Sequence, residues 1–161
     1  MTDIEFFEGE ISDVSSDVLI TTIHPTDGWF GGTNGDLHRY ASEFHRAATA
    51  AKPLVGGQVL FVPAAKPRFD VIFVVDDLSL SIDELVAIGL REAEQHDDLH
   101  TVTFSVFRTG VTAGIHSERN LSLRLELAAA VSDFIDANTP RITHIAIVYS
   151  EKKGWIATKG S

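Results

Sequence analysis

Two hydrophobic periods alternate along the chain, and this alternation narrows the available folds more than any other feature. Short apolar runs rich in β-branched residues are separated by longer stretches with helical spacing. Ile4–Phe7, Val18–Ile23 (VLITTI), Val59–Val62, Val71–Val75 (VIFVV), Val102–Phe107 (VTFSVF) and Ile145–Tyr149 (IAIVY) are the predicted strands. Near-continuous apolar runs of this kind suit strands buried on both faces. In Asp36–Ala51 the apolar residues Leu37, Tyr40, Ala41, Phe44, Ala47, Ala48 and Ala51 line one face of a predicted helix. A second helix is predicted over Asp83–Gln95, with Ile82, Leu85, Val86, Leu90 and Ala93 on one side. Ser81 and Glu84 have the spacing of a capping box at its start. A third is predicted over Glu118–Ala137. It carries one stripe of Leu121, Leu125, Ala128, Ser132 and Ile135 and another of Leu123, Leu127, Val131 and Phe134, which predicts burial over a wide arc.

The resulting order, β-β-α-β-β-α-β-α-β, predicts an α/β domain with three layers, α/β/α. Its centre is a mixed, mostly parallel six-stranded sheet. A length of 161 residues fits one domain, placed at 1–150, with the Lys- and Gly-bearing residues 151–161 as a tail. A chain of this size buries roughly 70% of its unfolded surface, enough for one core.

The chain has no cysteine, which removes disulfides, thiolate zinc sites and thiol catalysis and fits a reducing, cytoplasmic setting. The opening MTDIEFFEGE places acids before its apolar residues, unlike a secretory signal. No apolar run approaches the roughly 20 residues of a membrane span. The formal net charge is −10, which argues against nucleic acid as a partner, because that affinity comes from neutralising phosphates. Small phosphate ligands remain open to an acidic chain, since backbone N–H groups bind them without Lys or Arg.

Two loops carry the chemistry, each following a strand and preceding a helix. The first, His24-Pro-Thr-Asp-Gly-Trp-Phe-Gly-Gly-Thr-Asn-Gly35, holds Gly28, Gly31, Gly32 and Gly35 of the chain's 12 glycines. It is neither a Walker A loop nor a clean GxGxxG, and on spacing alone an ordinary surface loop explains it equally well. The second is Arg108-Thr-Gly-Val-Thr-Ala-Gly114, a turn of the kind that cradles anions between a strand and a helix. Thr109 and Thr112 offer hydroxyl donors there. At one edge of a sheet the two loops would enclose a diphosphate from two sides.

The order of these segments resembles that of a macrodomain, the ADP-ribose-binding module, over about residues 4–150. The family opens on a strand ending in Gly-Asp-Ile, here Gly9-Glu10-Ile11. An Asp then leads into a strand, here Asp17-Val-Leu-Ile-Thr-Thr-Ile-His24. The glycine loop reads Gly31-Gly-Thr-Asn-Gly35, the following helix Leu37-His-Arg-Tyr-Ala-Ser42, and the next strand begins Gly57-Gln-Val-Leu. The Phe-Pro-x-x-Ser-Thr-Gly loop becomes Phe104-Ser-Val-Phe-Arg-Thr-Gly110. The resemblance implies that the chain binds ADP-ribose or ADP-ribosylated protein. It places Glu10, with Ile11, and Tyr149 at the adenine. The backbone of Gly31, Gly32, Thr33, Asn34 and Gly35 would line the diphosphate and distal ribose. That of Arg108, Thr109, Gly110, Val111, Thr112, Ala113 and Gly114 would hold the phosphates from the other side. It implies no metal and no other cofactor.

This sequence also departs from the family's pattern. Thr21 and His24 stand where the hydrolase branch often has two Asn residues, and Asn34 aligns with an Asp after the glycines. Phe30 replaces one glycine, and the second glycine of the later loop is displaced to Gly114. Backbone-mediated binding survives such changes better than side-chain catalysis. Three functions stay open: a reader that binds without turnover, a hydrolase of ADP-ribosyl or O-acetyl-ADP-ribose linkages, and a degenerate domain serving as a protein-interaction scaffold. The hydrolase reading would use His24, whose ordinary pKa of about 6.5 suits acid–base work, and Asp27, which otherwise reads as a turn residue before Gly28. Trp29 and Phe30 would stack on the ligand or pack their own loop. His38 matches a family His and reads as structural. His96 and His100 have helical ligand spacing, but the Asp97-Asp98 between them marks a solvated helix end.

Overall fold

A computed structural model describes residues 2–10, 13–25, 37, 41–64, 69–108 and 117–149. Its strands are β1 (Asp3–Glu8), β2 (Val18–Ile23), β3 (Val59–Val62), β4 (Asp70–Val75), β5 (Thr101–Ser105) and β6 (His144–Tyr149). Its helices are α1 (Ser42–Ala50), α2 (Ile82–Glu94) and α3 (Ser117–Asn138). The strands form one sheet in the order β1-β6-β5-β2-β4-β3. All neighbours run parallel except β3, which is antiparallel to β4. The mixed, mostly parallel six-stranded sheet and its three layers are those expected from the sequence.

The side-chain alternation of the central strands sorts the core into two layers. Val18 and Ile20 of β2, Ile72 and Val74 of β4, Val102 and Phe104 of β5, and Ile145 and Ile147 of β6 face α2 and α3. Leu19, Ile23, Val71, Phe73 and Val75 face the opposite way, against Leu37, Ala41, Phe44 and Ala48. Burial on both faces holds for β2, β4, β5 and β6 but not for the two outer strands. Phe6 of β1 is 47% exposed, and β3 is only half-buried.

Three local expectations are corrected. The helix predicted from Asp36 is not continuous, because Ala41 has φ −153° and the regular helix starts at Ser42. Leu37, Ala41 and Phe44 still seat in one core cluster, as the helical spacing indicated. Strand β5 ends at Ser105, although Val106 and Phe107 remain buried beyond it. In α3 the stripe of Leu123, Leu127, Val131 and Phe134 is buried together with Ala130, while of the other stripe Ala128 and Ile135 are half-buried against the core and Leu121, Leu125 and Ser132 are exposed. The helix forms an outer layer, and one side of it meets α2 and the sheet.

The capping box forms as expected: the Ser81 hydroxyl accepts from the Glu84 amide, and the Glu84 carboxylate accepts from the Ser81 amide. Helix α2 then passes close over β2. A Cβ on Gly89 would lie 2.8 Å from Ile20 Cγ2, so the glycine permits this approach. Among the described residues, no helix is long and apolar enough to cross a membrane.

Candidate functional site

Five parallel strands point their carboxyl ends to one edge of the sheet, and the described elements that follow β2 and β5 pack on opposite faces of it. After β2 come Leu37 and α1 on one face, and after β5 comes α3 on the other. These strands are neighbours, in register from Val18–Val102 to Ile20–Phe104. Adjacent parallel strands followed by helices on opposite faces mark a switch point at the carboxyl edge, the place where open α/β sheets take ligands.

His24 and Arg108 stand at the two departures. His24 follows the last residue of β2 and is exposed. Arg108 follows the buried Phe107 and adopts φ 62°, the left-handed region uncommon for residues with a Cβ. Its guanidinium does not face open solvent. Nε donates to Asp76 Oδ2 at 2.9 Å, Nη2 donates to Asp76 Oδ1 at 3.0 Å, and Nη2 also donates to the Leu80 carbonyl. The hydrogen bonds that Arg108 donates to Asp76 raise its pKa further above its ordinary value.

Asp76 is buried at 6% exposure and follows β4. Its amide donates to the Ile23 carbonyl at 2.8 Å, and its Oδ1 accepts from the Leu78 amide at 2.9 Å. Asp77 beside it accepts from the Ser79 hydroxyl and amide. Those hydrogen bonds, with a smaller pull from His24, hold its carboxyl below the usual range. Neither Asp76 nor Asp77 was singled out from the sequence. The only signal was their position directly after a predicted strand.

At the far side of the edge, Glu10 and Tyr149 come together. The Gly9 amide donates to the Tyr149 carbonyl at 2.9 Å, which places the exposed Glu10 beside the end of β6. The Glu10 amide donates to Asp13 Oδ2 at 3.0 Å. Arg124 of α3 lies 4.0 Å from the centroid of the Tyr149 ring, and Phe6 meets that ring edge-on at 6.4 Å. Of the expected site, therefore, Glu10, His24, Arg108 and Tyr149 share one edge. Ile11, Asp27, Gly31, Gly32, Thr33, Asn34, Gly35, Thr109, Gly110, Val111, Thr112, Ala113 and Gly114 lie outside the described residues, as do Trp29, Phe30 and His38.

Two further features sit elsewhere. Asp17 Oδ2 accepts from the His100 and Thr101 amides and ties the amino ends of β2 and β5 together. A groove of about 270 Å³ lies on the sheet face away from α2 and α3, lined in part by Phe7, Ser16, Thr103, His144 and Ala146. His96 pairs with Glu92 at 2.9 Å and stacks on Phe61. Among the described residues, no three His, Asp or Glu side chains are grouped to hold a metal.

This architecture is the macrodomain fold. Neither the family models searched nor the curated proteins compared give a match to the sequence. Solved structures do match. A Trypanosoma brucei macrodomain in complex with ADP-ribose superposes with a TM-score of 0.68 at 16% identity, over 93% of this chain. The chain spans 65% of the length of that protein. The macrodomain of Mycobacterium tuberculosis DarG matches with a TM-score of 0.63 at 14% identity, over 93% of this chain and 100% of its own. A tomato leucine aminopeptidase mutant matches with a TM-score of 0.65 at 14% identity, over 92% of this chain but 32% of its own.

Proposed function

We propose that this chain binds ADP-ribose, free or attached to protein, in the crevice between the carboxyl ends of β2 and β5. One observation carries the reading. Strands β2 and β5 are neighbours that end at the same edge, at His24 and Arg108, and the helices that follow them, α1 and α3, pack on opposite faces of the sheet. In this reading the main-chain amides of 31–35 and 108–114 approach a pyrophosphate from two sides, and binding needs no cluster of basic side chains. Glu10 and Tyr149 lie farther along the edge, where the adenine would sit. The T. brucei macrodomain solved with ADP-ribose supports the choice of ligand.

Binding without turnover is preferred because the side chains associated with hydrolysis are substituted. Thr21 is buried and bonded to Ser105 rather than offered to the edge. The test is thermal unfolding with ADP-ribose. At about 100 times Kd, binding adds ~2.7 kcal/mol, a rise in Tm of roughly 5–10 °C for a domain of this size. Gly32→Glu and Gly110→Glu should each abolish the shift while the protein stays folded, because a charged side chain would enter the diphosphate path. Normal affinity in both variants refutes the placement. Release of ADP-ribose from an ester or amino-acid linkage would favour the hydrolase instead.

A further inference from the structure

Asp76 touches the departure points of both segments at once. Its amide holds the carbonyl of Ile23, one residue before His24, and its carboxylate holds the guanidinium of Arg108. Strand β2 lies between β4 and β5, so the ion pair reaches past the end of β2 to join the strands on either side of it. Asp76 is itself fixed by the Leu78 amide. Arg108 is fixed a third time by the Leu80 carbonyl, next to the Ser81 cap of α2. A left-handed φ at a non-glycine residue persists where its surroundings hold it, and three hydrogen bonds from one guanidinium supply that hold. A paired, planar fork fixes direction in a way that an ammonium cannot.

From this geometry we infer that Asp76 and Arg108 form a clamp that sets the relative position of the two ligand-binding segments. The Arg108 side chain is then a positioning group and does not itself meet the phosphates, whatever its main-chain amide does. The inference rests on the ADP-ribose reading. The arginine charge is neutralised by Asp76, and the ends of β2, β4 and β5 are held in one arrangement at the edge where the two segments begin.

The test measures ADP-ribose affinity by calorimetry for the wild-type chain, Asp76→Asn, Arg108→Lys and the double variant, with Tm recorded for each. A clamp predicts that each single variant weakens binding by about tenfold or more, and that the double variant is no worse than the weaker single one, because both remove one coupled interaction. Gly89→Ala, which disturbs packing under α2, serves as a control for general destabilisation and should keep wild-type affinity. Tighter or unchanged binding by Asp76→Asn with loss in Arg108→Lys would mean that Arg108 contacts the ligand directly, and would overturn the clamp. Wild-type affinity in both single variants would overturn it as well. Should either variant fail to fold, Asp76→Glu keeps the charge and shifts the fork, and the same tenfold loss is expected of it. A wild-type chain that binds no ADP-ribose sinks the ligand reading and the clamp together, whereas wild-type binding with indifferent variants sinks the clamp alone.

Discussion

Thr21 and Ser105 meet one residue beyond the last registered pair of β2 and β5, and both are buried. The Ser105 hydroxyl donates to Thr21 Oγ1 at 2.8 Å, so each side chain satisfies a group that water does not reach. Ser105→Ala leaves the Thr21 oxygen unsatisfied and should cost about 1–2 kcal/mol, whereas Ser105→Ala with Thr21→Val should cost far less, since both polar groups then go. Urea unfolding of the two variants checks this. Asp77 gives a pH prediction. Its carboxyl is held low by the Ser79 hydroxyl, so the folded state favours the charged form. That contribution is complete above the unfolded pKa and is lost as pH falls through the folded one, below about pH 4. In Tm measured against pH, Asp77→Asn should lie below the wild-type chain near neutrality and converge with it in acid. Single residues were also where sequence reading stopped short. Arg108 was marked by its place after a strand. Its partner Asp76 lies 32 positions away, and nothing local pairs them before the strand order is known.

At the scale of elements, the strands and α2 were legible because their periods and caps are local. Val18–Ile23 and Val59–Val62 have the bounds their apolar runs indicate, and the Ser81–Glu84 box begins α2. The break at Ala41 was not legible, since no glycine or proline marks it and Leu37, Ala41 and Phe44 have the spacing of one continuous helical face. The exposure of Leu121 and Leu125 in α3 was hidden as well, because they have the spacing of core residues and share a stripe with the half-buried Ala128 and Ile135. The fit of α2 on β2 yields a prediction. Gly89→Ala gains about 1 kcal/mol of helix propensity but presses a methyl against the fully buried, β-branched Ile20 and lies 3.4 Å from Val74. Overpacking of this kind costs about 1–3 kcal/mol, so a net loss near 1 kcal/mol and a fall in Tm of about 2–4 °C are expected.

For the whole molecule, the order of segments indicated the fold, and the sheet order places four of the expected site residues on one edge. The remaining site rested on glycine loops whose conformation is not coded by a local period. The net charge of −10 gives this scale its prediction. A ligand with two phosphates approaches against the long-range field, although main-chain amides attract it at close range. Raising salt from about 10 to 150 mM shortens the screening length from roughly 30 to 8 Å. The association rate should therefore rise with salt, opposite to the behaviour of nucleic-acid binders. Stopped-flow kinetics of ADP-ribose binding across that range decide the matter. The outermost strand has a consequence of its own. Strand β1 pairs only with β6 among the described residues, and its sequence DIEFFE carries Asp3, Glu5 and Glu8, all exposed. Two copies meeting along that border would set carboxylates against carboxylates, so the sheet is guarded against growing from molecule to molecule into a fibre.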